Sequence, residues 1–288
     1  MARFIDHLRS QADLRLFSAT RRAPVRNSAT ADHRRHSLWR KENMMESKIN
    51  PHEVSLEGIG SMPDEYRDTL IHQLLANGEG ELSAGDTYID SFYPLAPDAD
   101  ERYICAQFAA EEVDHFRRFS RLLAELEVDT SHMLSQKKEE RRYFAAESMT
   151  MEFRSWEERA AFSFLCELEG HYQIKEMVGS SYLPLRAEAQ AVLKEEARHF
   201  SHGALLMRRA AKDKDARARA QEALDRLYPM AMDMFGRSDS RRSETAVRWG
   251  LRQYTNGQLR DLYRDDVLGH IQRLGYEVPD EMACRKYF

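Results

Sequence analysis

At 288 residues the chain can form one large domain or two ordinary ones, and 42% hydrophobic with 32% charged residues is the balance of a soluble, helix-rich globular protein. A formal charge of −5 leaves no basic footprint for nucleic acid, and no apolar run reaches the roughly 18 residues a membrane span needs. Cys105, Cys166 and Cys284 form neither a C-x-x-C pair nor an even-numbered disulfide framework, so a reducing cytoplasm is the expected compartment.

The first 41 residues hold nine Arg and one Lys against only Asp6, Asp13 and Asp32. They lack the apolar centre of a secretory signal, although an Arg-rich, acid-poor stretch is similar in composition to a transit peptide. The simpler expectation is a basic, disordered leader over residues 1–48, or a start codon set too far upstream of Met44 and Met45. A single domain is expected over residues 49–288.

From Pro63 the chain reads as successive amphipathic helices. The first covers residues 63–92, with Pro63 in its first turn and Tyr66, Leu70, Ile71, Leu74 and Ile89 at helical spacing. Pro94 and Pro97 break it, and Asp98 or Asp100 caps a second helix that runs to about residue 126. Its inner stripe is Phe108, Glu112, His115, Phe116, Phe119, Leu122, Leu123 and Leu126. A charged link at 136–142 and an irregular stretch follow. Ser155 with Glu158 makes a capping box for a third helix, which stops at Gly179. Pro184 opens the fourth, whose stripe is Ala189, Val192, Leu193, Glu196, His199, Phe200, Gly203, Leu206 and Met207. Residues 212–217 are a solvated charge run. Further helices are expected at 216–234, at 243–254, and from Thr255-Asn256-Gly257-Gln258 to Leu274-Gly275. No strand-like alternation occurs. The expected fold is all-α, a four-helix core with additional C-terminal helices packed around it.

Two of these helices carry near copies of one motif: Glu-Glu-Val-Asp-His-Phe at 111–116 and Glu-Glu-Ala-Arg-His-Phe at 195–200, 84 residues apart. Positions i and i+3 share a helix face, so Glu112 with His115, and Glu196 with His199, can each grip a cation. A lone Glu-x-x-His is usually a surface pair. Here each pair interrupts an apolar stripe, where an uncompensated carboxylate is costly. Facing Glu-x-x-His pairs, each joined by a further carboxylate, form the ligand set of di-iron and di-manganese carboxylate proteins.

The further carboxylates come from an E-x-E one helix upstream of each motif, Glu79/Glu81 and Glu167/Glu169. Glu81 to Glu167 spans 86 residues, close to the motif spacing of 84. Glu81 shares a face with Leu70, Ile71, Leu74, Gly78, Gly85 and Tyr88 and points inward, the glycines opening space near the metals. Glu79, about 160° away, is solvated or supports the site from behind. Periodicity barely separates Glu167 from Glu169, and Glu167 is preferred. Glu111 and Glu195 are solvated or support the ligands, and Asp114 either holds a histidine's second ring nitrogen or makes a surface ion pair. His171 is a packed histidine, and His202 points aside. Carboxylate-rich ligation suits iron, with manganese as the alternative, better than zinc.

Ser61-Met62-Pro63-Asp64-Glu65-Tyr66-Arg67, the stripe through Glu81 and both metal motifs resemble the catalytic subunits of ring-1,2-phenylacetyl-CoA epoxidases. So do Ser181-Tyr182-Leu183-Pro184, residues 229–236 and residues 254–260, and the likeness covers residues 61–281. That family is similar in fold to ferritin-like proteins and the ribonucleotide reductase small subunit. The resemblance implies a di-iron monooxygenase of phenylacetate catabolism that uses O2 and electrons from an external reductase to epoxidise an aryl-CoA thioester, beside a structural partner subunit of similar fold. Carried over by position, the ligands are Glu81, Glu112, His115, Glu167, Glu196 and His199, the four glutamates also being the catalytic carboxylates. The family has an aspartate where this chain has Glu167. The alternatives are a hydroxylase or N-oxygenase on a biosynthetic substrate, a ferritin-like iron oxidase, and a non-catalytic partner subunit.

Overall fold

The computed structural model describes residues 53–288, so the basic leader expected at 1–48 lies outside the described residues. Among the described residues there is no β-strand, only one parallel bridge between Val54 and Tyr182. Four helices build the core: α1 (Asp64–Thr87), α2 (Ala99–Glu125), α3 (Trp156–Met177) and α4 (Leu183–Ala210). α1 packs on α2 and α3 on α4, and the two hairpins face each other as a ferritin-like bundle. α5 (Lys214–Asp233) and α7 (Asn256–Leu274) lie against α3, and α6 (Arg241–Arg248) lies against α1.

The helix starts follow from the capping residues. Asp98 rather than Asp100 caps α2, accepting from the Glu101 N–H at 2.9 Å. Ser155 with Glu158 and Thr255 with Gln258 form reciprocal capping boxes, and Gly275 ends α7 with φ at 77°. α6 is shorter than the expected 243–254 because Gly250, at φ 67°, turns the chain out of the helix just after it. The first helix also differs at its end. α1 stops at Thr87 and the backbone widens into a π turn, Tyr88–Phe92. Tyr88 and Phe92 of this turn are buried, whereas Ile89, expected at helical spacing with Tyr66, Leu70 and Leu74, is 50% exposed.

Two apolar clusters fill the bundle. One gathers Tyr88, Phe92, Phe108, Phe162 and Phe164 with Leu224 and Leu227 of α5 and Tyr263 and Val267 of α7. The other gathers Tyr66, Leu70 and Leu74 of α1 with Phe119, Leu122, Ile174, Leu185 and Val192. Phe108 belongs to the first and Phe116 to the second, and Glu112 lies between them on the same stripe. Each fully buried apolar side chain contributes about 1.5–3 kcal/mol, which offsets the cost of the buried charges in that middle layer.

Gly203 lets α4 approach α3 closely: a Cβ there would lie 2.5 Å from the Phe164 nitrogen and the Ser163 carbonyl carbon. Gly78 and Gly85, expected to open space near the metals, instead seat α1 against α2. A Cβ at Gly85 would meet Val113 at 3.2 Å and the Glu112 Cβ at 3.4 Å, and one at Gly78 would meet Phe116 and Phe119 at 3.6 Å.

Candidate metal centre

All six residues carried by the repeat and its upstream carboxylates meet in the middle of the bundle. Donor atoms of Glu81, Glu112, His115 and Glu196 lie within 4.8 Å of one another, and so do those of Glu112, Glu167 and His199. Glu112 belongs to both groups because its two oxygens diverge. Oε1 is 2.8 Å from His199 Nδ1, and Oε2 is 3.5 Å from His115 Nδ1. Around His115 Nδ1, Glu81 Oε2 and Glu196 Oε1 each lie at 3.2 Å. Glu167 Oε2 stands 3.7 Å from His199 Nδ1. Each helix supplies its donors from one turn, which is why helical spacing alone could nominate them.

The cluster calls for positive charge. Burial opposes a charge on either histidine, yet Glu112, Glu196 and Glu81 overturn that effect and hold the proton on His115 far above the ordinary imidazole range. Glu112, Glu111 and Glu167 do the same for His199. Burial in turn pushes the Glu81 and Glu196 carboxyls up to about 7, with His115 pulling against it. Protons do not complete the hydrogen bonding, however. Glu112 Oε1, Glu196 Oε1 and His199 Nδ1 are buried and have no hydrogen-bond partner among the described residues, although Glu112 Oε1 and His199 Nδ1 are only 2.8 Å apart. Carboxylate oxygens and ring nitrogens that converge so closely fit a shared cation that would take the place of those protons, and four carboxylates with two imidazoles suit a hard or borderline metal.

The family whose description is "Phenylacetic acid catabolic protein" matches residues 44–287. The chain belongs to that family. It is also 25% identical over 242 residues to one subunit of the 1,2-phenylacetyl-CoA epoxidase of Escherichia coli (strain K12), covering 83% of this chain and 77% of the relative.

In this family member the neighbours of the cluster divide into three kinds. The leading glutamates of the two motifs hold the histidines' far nitrogens: Glu195 Oε2 lies 2.8 Å from His115 Nε2, and Glu111 Oε2 lies 2.8 Å from His199 Nε2. Asp114 does not take that role. It pairs with Arg117 and Arg118 on the outer face of α2. Glu79 is buried rather than solvated, because the segment after the 3-10 turn Lys138–Glu140 folds over it and donates the Arg142, Tyr143 and Phe144 N–H groups to its carboxylate. Glu169 is buried outside both donor groups and accepts from Gln173 at 2.7 Å, and burial pushes its carboxyl up to about 8. His202 turns to Glu101 at 3.1 Å, and His171 stands outside the donor groups, edge-on to Tyr172.

One site residue escaped the sequence reading. Tyr88 was legible only as a member of the inner face, yet its hydroxyl donates to Glu167 Oε1 at 2.7 Å. Next to the donors lies a cavity of about 270 Å³, which touches Glu81, Glu112, Glu167 and Glu196 and has Phe144, Met149 and Phe162 among its walls. Its lining also includes His72, Arg242, Arg252 and Asn256, so it is polar and basic on the side of α6 and the start of α7.

Proposed function

We propose that the chain is the catalytic subunit of a di-iron, O2-dependent oxygenase that epoxidises the ring of phenylacetyl-CoA or a related aryl-CoA thioester. The observation that carries this reading is the convergence of buried ligand atoms across the bundle: Glu112 Oε1, without a hydrogen-bond partner, faces His199 Nδ1, and Glu196 Oε1, likewise unpartnered, faces His115 Nδ1. Membership of the phenylacetic acid catabolic family, with a relative named as an epoxidase component, supports the substrate class.

Glu81, Glu112, His115 and Glu196 would hold one iron, and Glu112, Glu167 and His199 the other, with manganese as the alternative metal. Two ferrous ions held there would supply the two electrons that, with two protons, let one O2 atom enter the substrate and the other leave as water, and an external reductase would restore the ferrous state. The chain's own part is placement and exclusion. Phe144, Met149 and Phe162 offer an apolar wall for an aryl ring, and Arg242 and Arg252 offer positive charge to the anionic remainder of a CoA ester. Apolar walls also keep water from the reacting ring. Glu111 and Glu195 hold the histidine rings in orientation.

A structural partner subunit of similar fold is part of the proposal, in keeping with a relative named as one component of a multi-subunit enzyme. The enzyme works in the cytoplasm, and among the described residues no helix is long and apolar enough to cross a membrane. The test is product analysis by mass spectrometry after iron loading, with partner subunit, reductase and a series of aryl-CoA thioesters. A product carrying one added oxygen atom is expected. Consumption of O2 with every aryl-CoA unchanged would sink the substrate assignment and favour a hydroxylase or N-oxygenase acting elsewhere.

A further inference from the structure

Tyr88 is fully buried and opens the π turn that follows α1. Its hydroxyl reaches α3, donating to Glu167 Oε1 at 2.7 Å while Ser163 Oγ lies 2.8 Å from the same hydroxyl oxygen. A phenol has one proton, so with that proton on the carboxylate it is Ser163 that donates to Tyr88. The bonds run Ser163 to Tyr88 to Glu167, and each polarises the next. Glu167 Oε1 thus carries the phenol's hydrogen bond, and Oε2 is the oxygen that faces His199 Nδ1, at 3.7 Å.

A second observation concerns what holds the ring. Arg159 is fully buried one turn before Ser163, and its Nε, Nη1 and Nη2 have no hydrogen-bond partner among the described residues. Its guanidinium lies 5.6 Å from the centre of the Tyr88 ring and 5.1 Å from that of Trp156. A buried cation with so few hydrogen bonds is costly; the two aromatic faces compensate part of that cost, and the buried Glu101 carboxylate, whose proton affinity the Arg159 charge lowers, compensates another part. Its charge and its weak contact with the Cys105 sulfur also partly counter the upward push that burial gives that thiol. Phe92 and Phe108 close on the Tyr88 ring edge-on, at 5.3 and 5.6 Å. The phenol is thus packed on several sides, with its hydroxyl between Ser163 Oγ and Glu167 Oε1.

We propose that Tyr88, clamped by Arg159, is a positioning residue that makes Glu167 a one-oxygen metal ligand: the phenol keeps Oε1, and Oε2 is offered beside His199. This rests on the reading of Glu167 as a ligand. A carboxylate that grips through one oxygen leaves free the coordination position its second oxygen would fill, which an oxygen-activating centre needs. The π turn fits the assignment, because such turns concentrate at functional sites and this one begins at the residue in question.

The test is anaerobic titration of the full chain with Co(II), read by visible absorption, for wild type, Tyr88→Phe, Ser163→Ala and Glu167→Ala. Wild type is expected to take two ions. Tyr88→Phe should still take two, with one bound about 10–100-fold more weakly and its bands shifted as Glu167 becomes free to use both oxygens. Ser163→Ala, which keeps the phenol, should shift the same bands less. A Tyr88→Phe titration and spectrum superimposable on wild type, with Glu167→Ala losing an ion, would overturn the proposal alone. Wild-type affinity for both ions in Glu167→Ala would instead remove the ligand reading beneath it. If Tyr88→Phe does not fold by circular dichroism, Ser163→Ala decides, and unchanged bands there overturn the proposal.

Discussion

His115 Nε2 lies 2.8 Å from Glu195 Oε2, in a contact that crosses from α2 to α4. Glu111 of α2 returns the same contact to His199 of α4, also at 2.8 Å. The repeated Glu-Glu-x-x-His run is therefore two interlocked halves, in which each leading glutamate fixes the histidine of the other copy. A carboxylate on Nε2 favours the proton there and leaves Nδ1 free to face the donor cluster.

Removing either crossed contact should weaken metal binding and leave the fold intact. Glu111→Gln and Glu195→Gln are each expected to lower Fe(II) affinity by about 10–100-fold, measured by anaerobic calorimetry. The Glu111 side chain is the more enclosed, at 16% exposure against 36% for Glu195, and it is also tied to Arg198 and Gln107. Its replacement should be the more damaging. Wild-type affinity in both variants would mean that the contacts do not orient the ligands.

The pH dependence of metal-induced stabilisation follows from the raised carboxyls. Glu81 and Glu196 sit at about 7 in the folded chain against an ordinary 4.5, so the stability their bound protons lend is complete below about 4.5 and is lost as pH rises through about 7. His115 and His199 are also raised, and their contribution is present below about 6.5 and lost as pH rises through their higher folded values. All four lower the stability of the metal-free chain as pH rises, whereas a metal displaces those protons and removes the loss. His72, pushed down to about 4 by burial, has the opposite sign: the stability it lends is present above about 6.5 and lost as pH falls through about 4. It is common to both forms and cancels in the difference. The gap in melting temperature between metal-loaded and metal-free protein should widen from about pH 5 to about pH 8. A constant or narrowing gap would contradict the account.

Glu79 should act as a latch for the segment that covers α1. Glu79→Ala removes the acceptor for the Arg142, Tyr143 and Phe144 N–H groups, and a loss of about 1–3 kcal/mol is expected. Hydrogen exchange at those three amides should quicken before global unfolding. Unchanged protection there would show that the segment is held by other contacts.

The two kinds of helical glycine should separate cleanly. Gly203→Ala forces a Cβ against α3 backbone at 2.5 Å and is expected to cost about 1–3 kcal/mol or more, with a lowered melting temperature. Gly78→Ala meets side-chain carbons at 3.6 Å, an ordinary contact, and gains about 1 kcal/mol of helix propensity. It should be neutral or mildly stabilising. Equal effects would contradict the close α3–α4 approach.

Much of this was legible because helical periodicity fixes which side chains share a face. The capping residues Asp98, Ser155 and Thr255 marked three helix starts, and the two Glu-x-x-His pairs with Glu81 and Glu167 nominated the residues that meet. Local spacing is silent about contacts between helices. Asp114 and Glu111 both flank the ligand positions, and only the approach of α4 shows that Glu111 faces His199 while Asp114 faces outward. Glu79 looked solvent-facing because the segment that buries it is irregular and lies more than sixty residues away. The π turn was hidden for a similar reason: nothing in Tyr88–Phe92 departs from ordinary helical composition.

The claim beneath all of these is that six side chains on four helices hold two metal ions. It is tested most directly by anaerobic Fe(II) loading followed by metal quantification on wild type and on Glu112→Ala/Glu196→Ala. Two irons per chain are expected in the wild type, with substantial loss in the double variant, because Glu112 touches both donor groups and Glu196 completes the first. Full iron retention by the folded double variant would contradict the site.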